Sequence, residues 1–291
     1  MTSPLVNIAA LTKAAKADKN FTETSSGGSF ERELPVVGVG FLRLREYIEM
    51  GIHSHGKAPH QKDRPLARFV FELTHKKHSM SFEKDGETIT TQHVMSVTVP
   101  ISDNESADYI KIFNLLNWDG TLTHPLEALD KPMMCKINHS ESGEGDKKRT
   151  YANLWTGTPK DKNWQILPPV KEADPMDDAS VAQDISAAIP PLSKGAESLK
   201  VFLWLHADQA QWDTLFIEGT RTVKGKGDAP DKEESKNYLQ EKIKQAKNFA
   251  GSPIEQVLAA GGVDMSDLPT TEEAVTDANS ATDAALADLG L

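Results

Sequence analysis

From residue 250 to the end the chain has no lysine and no arginine, although that stretch holds Glu255, Asp264, Asp267, Glu272, Glu273, Asp277, Asp283 and Asp288. These acids make up most of the formal net charge of -11 and leave the rest of the chain nearly neutral. An anionic segment rich in Ala, Thr and Asp cannot bury enough apolar surface to fold, so 251–291 is expected to be a disordered acidic tail. Cysteine is almost missing: Cys135 stands alone, which excludes an intrachain disulfide framework. No apolar run approaches the ~18 residues that a membrane-spanning helix needs. The N-terminal residues MTSPLVNIAALTKAAKADKN lack a signal-peptide core and cleavage site. A cytoplasmic protein is the expectation.

Catalytic signatures are missing too. The sequence contains no GxxxxGK[ST], GxSxG or HExxH. Gly38 and Gly40 are followed by no third glycine and no helix, so they do not form a nucleotide fingerprint. His53, His55, His60, His75, His78 and His139 are scattered around a single cysteine, which does not meet the paired-ligand pattern of a zinc site. Neither enzyme, metal nor cofactor is expected.

What is present alternates. Residues 1–33 read as a flexible arm with a TETSSGGS linker. Val36–Ile48, Arg64–Thr74 and Glu87–Ile101 read as strands, with Asp85-Gly86 as a turn. Residues 106–118 switch to helical spacing, with Ile110, Phe113 and Leu116 on one stripe and Ser106 as the cap. Lys131–Asn138 and Arg149–Thr156 resume the strands around a polar hairpin loop, HSESGEGDKK. Residues 158–198, with six prolines, read as loop. Leu199–Leu205 and Trp212–Val223 close the strand series, and 232–249 reads as a charged amphipathic helix.

A helix after the third of several short strands predicts a mainly β fold, an OB-fold-like small barrel with inserted loops. A β-sandwich is the rival. The domain boundaries follow: arm 1–33, barrel 34–225, amphipathic helix 226–250, tail 251–291.

Three segments combine cations with rings. Strict alternation along the first strand puts Phe41, Arg43, Arg45 and Tyr47 on one exposed face, with Leu42, Leu44 and Ile48 toward the core. Lys57, Lys62, Arg64, Arg68, Lys76 and Lys77 make 57–84 locally basic. Lys147, Lys148 and Arg149 lead into Tyr151 and Trp155, although Trp155 can equally belong to the core. Cations that follow phosphates beside rings that accept any base are the chemistry of single-stranded nucleic-acid binding. In that reading Tyr47, Tyr151 and Trp155 stack on bases.

Segments VGFLRLREYIEMGIHSH, RPLARFVFELTHKKH, YIKIFNLLNW, KPMMCKINHSESGEGDKKRTYANL, LKVFLWL, QWDTLFIEGT and KNFAGSPIE, spread over roughly 35–255, resemble the single-stranded-DNA-binding proteins of tailed-bacteriophage replication and recombination modules. The resemblance implies an OB-type barrel that coats single-stranded DNA without sequence preference in the host cytoplasm. It also implies an acidic tail that contacts phage or host replication and recombination proteins. Here Asp283, Asp288, Leu289 and Leu291 would form that contact. The ending departs from the consecutive aspartates and Ile-Pro-Phe of the bacterial version. A homo-oligomer stays open. Two alternatives stand beside this reading: a β-bodied interaction, assembly or inhibitor protein, and a metal-dependent nuclease.

Overall fold

The structure, a computed structural model, describes residues 33–56, 59–84, 87–143, 148–173, 176, 180–223 and 231–261. It is mainly β. The first elements are β1 (Gly38–His55), β2 (Lys62–Leu73), β3 (Ser79–Lys84), β4 (Glu87–Gln92), β5 (Val94–Pro100) and helix α1 (Asp108–Leu116). Then come β6 (Pro132–Ser142), β7 (Arg149–Asn153), β8 (Trp155–Thr158), β9 (Asp161–Trp164), β10 (Ile166–Leu167), β11 (Val170–Lys171), β12 (Gln183–Asp184) and β13 (Lys200–Phe202). The described chain closes with α2 (Gln209–Thr214), β14 (Thr220–Val223), β15 (Lys232–Ser235), α3 (Tyr238–Lys244) and α4 (Pro253–Ala260).

The main sheet has the order β10-β6-β1-β2-β5, with β13 added to β1 and β7 to β6. Long β1 organises it. One edge of β1 pairs with β2 along its length, while the other pairs first with β6 and then, in parallel, with β13. The two ends of the path, β5 and β10, are not hydrogen-bonded to each other among the described residues. Helix α1 packs against both of them. β2 is buried on both faces from Leu66 to Leu73, which is why Phe69, Val70 and Phe71 stand in succession without polar alternation.

Two irregularities interrupt the β1–β2 ladder, between Leu44 and Glu46 and between Glu49 and Gly51. Arg45 is the extra residue of the first. A one-residue insertion exchanges the two faces of everything after it. Leu42 and Leu44 therefore join Tyr47, Phe69, Phe71, Tyr109, Ile112 and Leu116 in one core, whereas Ile48 and Met50 join Phe202, Trp204, Trp212, Leu239 and Ile243 in a second. The first core lies between the sheet and α1; the second lies on the outer face under α2, α3 and α4. Each fully buried Phe or Leu contributes on the order of 1.5–3 kcal/mol.

Several expectations change. The 87–101 strand is two, β4 and β5, and β4 forms a hairpin with β3 whose closing pair, Lys84 and Glu87, brackets the expected Asp85-Gly86 turn; the turn itself lies outside the described residues. The helix at 108–116 buries Tyr109, Ile112 and Leu116 rather than the 110/113/116 stripe, and Ser106 does not cap it, bonding Asn104 instead. The 158–198 stretch read as loop contains β9 to β12, because a tight turn at Pro159-Lys160 lets Trp155–Thr158 pair back on Asp161–Trp164. Trp212 sits in a helix, capped by Asp208, and not in a strand. The amphipathic helix is shorter, preceded by β15. The segment assigned to the tail begins with a helix: Ser252 caps α4, Pro253 sits in its first turn, and Ile254 and Leu258 enter the second core. The arm 1–32 and residues 262–291 lie outside the described residues.

Candidate nucleic-acid interface

The bulge at Arg45 undoes the expected exposed row of Phe41, Arg43, Arg45 and Tyr47. Tyr47 is fully buried, its ring packed edge-on against Phe69 and its hydroxyl 2.9 Å from that of Tyr109 and 3.2 Å from Glu49. Burial and the Tyr109 hydroxyl push its pKa upward. It presents no ring to a base, which corrects its assignment as a stacking residue.

Arg43 is also committed to the fold. Its guanidinium donates to the carbonyls of Pro190 (2.8 Å), Ile189 (3.0 Å) and Asp130, and pairs with the Asp130 carboxylate at 3.1 Å. Arg45 pairs with two buried carboxylates, Glu46 at 2.6 Å and Glu72 at 3.6 Å. Glu72 in turn accepts from the backbone N–H of Ser193 at 2.6 Å. Arg43 and Glu72 thus strap residues 189–193 across the outer face of β1 and β2. Arg68 lies on the same outer face, 8 % exposed, with its guanidinium carbon 5.6 Å from the centre of the Tyr238 ring.

Cations and rings do come together at the end of the sheet where β1 turns into β2. Lys62 and Arg64 are exposed there, paired across the ladder with His55 and His53. The β8–β9 hairpin brings Lys162 to the same place. Its ammonium lies over two rings, 5.7 Å from the centre of Trp155 and 5.4 Å from that of Trp164. Asp108, at the start of α1, fixes the arrangement: its carboxylate accepts from Trp164 Nε1 at 2.9 Å and pairs with Lys162 at 3.5 Å. Partial burial and then the charges of Lys162 and Arg64 lower the pKa of His55. Trp155 is half-buried against the first core. Cation–π contacts of this kind are worth about 0.5–2 kcal/mol, and they hold the indole and the ammonium in one geometry. The Lys162 side chain is 9 % exposed and already paired with Asp108, so Arg64 is the cation of this cluster that stands open to a phosphate, next to the partly buried Trp155.

The other predicted cations are dispersed. Lys76 and Lys77 are exposed in the short 3-10 turn Lys76–His78, and Lys77 donates to the Val39 carbonyl. Lys148 pairs with Glu141 at 2.6 Å on the β6–β7 hairpin, Arg149 is exposed beside it, and Tyr151 is half-buried two residues on. Lys57 and Lys147, and the tail residues Asp283, Asp288, Leu289 and Leu291, lie outside the described residues.

Among the described residues no three His, Cys, Asp or Glu side chains are grouped to hold a metal. Cys135 is buried in the first core, and burial pushes its thiol to about 12. No helix of the described residues is long and apolar enough to cross a membrane.

Sequence reasoning missed Lys162, Trp164 and Tyr238. The first two stand in KDKNW, whose alternation was masked by the prolines around it. Tyr238 belongs to a helix whose partner, Arg68, is 170 positions away in the chain. No family model, curated protein or solved structure matches the chain.

Proposed function

We propose that the protein binds single-stranded nucleic acid without sequence preference and has no catalytic activity of its own. The observation that carries this reading is the lodging of Lys162 on the Trp155 and Trp164 rings beside Arg64. A half-buried tryptophan held in place by Lys162, beside the exposed cation Arg64, is the combination from which base stacking and backbone tracking are built.

Connectivity supports the same reading. Within the main sheet the chain order is β1, β2, β5, α1, β6, β10, and β1 pairs with both β2 and β6. A five-stranded OB-fold has its helix after the third strand and binds oligonucleotides with the loops after its first and fourth strands. Here the corresponding connections are the β1–β2 turn, flanked by His55, Lys62 and Arg64, and the β6–β10 segment, which carries Trp155 and Lys162. The barrel would be completed by α1 bridging β5 and β10 in place of a ladder. The acidic residues from Asp264 to Asp288 would recruit replication or recombination partners, in the host cytoplasm if the chain is phage-encoded.

The test is a fluorescence-anisotropy titration with mixed-sequence oligonucleotide, single-stranded and duplex, at two salt concentrations. Salt-sensitive binding to the single strand alone is expected. Trp155→Ala should weaken it by about 1–3 kcal/mol, the worth of one stacked base. Arg64→Gln should reduce the salt slope by ~0.7, the contribution of one phosphate contact on a single strand. No binding at low salt, or equal binding to duplex, would refute the proposal and favour a protein-docking role for the β body.

A further inference from the structure

Arg68 is a buried cation whose chemistry the fold leaves incomplete. It is 8 % exposed, yet among the described residues its Nε has no hydrogen-bond partner and its guanidinium forms no ion pair. The two carboxylates nearest in the sheet register are taken: Glu46 by Arg45, and Glu72 by Arg45 and Ser193 N–H. Its one charge-directed contact is the Tyr238 ring. A buried cation without a counter-charge is costly, and a native protein normally supplies the missing partner.

The surroundings say what kind of partner fits. Arg68 lies opposite Thr98 on β5, and Val70, the next outer-face residue of β2, lies opposite Ser96. By the alternation of the strands the side chains of Ser96, Thr98 and Arg68 share the outer face. Neither hydroxyl is hydrogen-bonded among the described residues, and both are partly exposed. β5 is an end strand of the sheet path, so no further main-sheet strand stands beyond these hydroxyls. On the other side Tyr238, 38 % exposed, stands at the start of α3.

From this we infer that Arg68, with the hydroxyls of Ser96 and Thr98, forms an oxyanion site for one phosphate group, walled by Tyr238. A guanidinium flanked by two hydroxyls supplies donors in several directions, which suits a tetrahedral phosphate better than a planar carboxylate. Under the proposed function the occupant is one phosphodiester of the bound strand, on a face separate from the Lys162 cluster; that assignment rests on the nucleic-acid reading, whereas the phosphate site does not.

The test therefore begins without nucleic acid. Thermal melting of the full chain is followed with tripolyphosphate against sodium chloride at matched ionic strength. Tripolyphosphate should raise the melting temperature of the wild type beyond the salt control, and Arg68→Met should abolish the excess. Without anion, Arg68→Met should melt no lower than the wild type, because it removes an unpaired buried cation; a residue held only for packing would give a clear drop. Arg68→Lys and Tyr238→Leu are read alongside, the first keeping charge without the planar fork, the second removing the wall, and each should diminish the excess should the Met variant not fold. An undiminished tripolyphosphate effect in these variants, or none in the wild type, overturns the site. In the second arm, Arg68→Met should lower affinity for a single-stranded oligonucleotide by about tenfold, the worth of one charged hydrogen bond. Loss of the tripolyphosphate effect with no oligonucleotide binding in the wild type would leave the phosphate site standing and remove the nucleic-acid reading alone.

Discussion

Acid should destabilise this protein before its carboxylates begin to protonate, and two buried histidines give the reason. His78 is fully buried, with neither ring nitrogen hydrogen-bonded among the described residues, and packs against Gly40 so closely that a Cβ there would lie 3.0 Å from its Nε2. His53 is 6 % exposed, and its Nε2 lies 2.9 Å from the Met50 carbonyl. Burial lowers both from 6.5 to about 4, reinforced by Lys77 beside His78 and by Lys242 beside His53. The folded state therefore holds them neutral in a range where the unfolded chain takes up protons. The folded pKa lies below the unfolded one, so stability is complete above pH 6.5 and is lost as pH falls from there toward 4. At pH 5.5 each histidine should contribute a slope of about 1.2 kcal/mol per pH unit, approaching ~3 kcal/mol in all. The assay is urea unfolding followed by tryptophan fluorescence between pH 7.5 and 5, where most carboxylates stay ionised. His78→Leu and His53→Leu should each remove about 1.2 kcal/mol per pH unit at pH 5.5, and because the residues lie in separate surroundings the two losses should add in the double variant, leaving the contribution of His55, whose pKa is also lowered. A slope unchanged in the double variant would refute the argument whatever the absolute stabilities.

Three further outcomes follow from individual contacts. Arg43→Ala should cost about 2–4 kcal/mol by releasing the 189–193 strap and leaving carbonyls without donors, yet leave the salt slope of oligonucleotide binding unchanged; a reduced slope would return Arg43 to the interface. Tyr47→Phe should lower stability by about 1–2 kcal/mol through loss of the Tyr109 and Glu49 contacts, with oligonucleotide affinity unaltered in the same anisotropy assay. Gly51→Ala should cost upward of ~3 kcal/mol in chemical denaturation, since Gly51 has a φ of +81° and a Cβ would meet the Trp204 ring at 2.4 Å and Ala246 at 2.6 Å; a near-neutral result would mean that this packing does not exist.

Much of the β architecture was legible because it is written in short-range pattern. The β2 run of Phe69, Val70 and Phe71 and the helical spacing after Ser106 each signal their element without reference to distant residues, whereas the first four residues of the polar stretch HSESGEGDKK, read as loop, continue β6 to Ser142 because they pair with β7. Strand alternation failed at Arg45 because a bulge costs no change in composition: Leu42, Leu44 and Ile48 look like one face, and only pairing with β2 reveals that Tyr47 and not Ile48 continues it. The hairpin bearing Lys162 was obscured in a similar way. Its strands are four residues each, too short to stand out against neighbouring prolines, and they persist because Asp108 and the first core hold them.

The sequence by itself determined the charge division between body and C-terminal segment, the single unpaired thiol, the mainly β character and the helix that follows β5, because these depend on composition and on periods of two or 3.6 residues. Tertiary structure alone decided which cations are free to meet a ligand. Arg43, Arg45, Arg64 and Arg68 are equivalent as letters, but long-range pairing ties the first to the carbonyls of Asp130, Ile189 and Pro190, and the second is held by its neighbour Glu46 and by Glu72 across the ladder. It leaves the third exposed beside Lys162 and the fourth buried under Tyr238 without a counter-ion. A guanidinium's availability is set by the acceptors that folding brings to it, and here those acceptors come from as far as 147 positions along the chain.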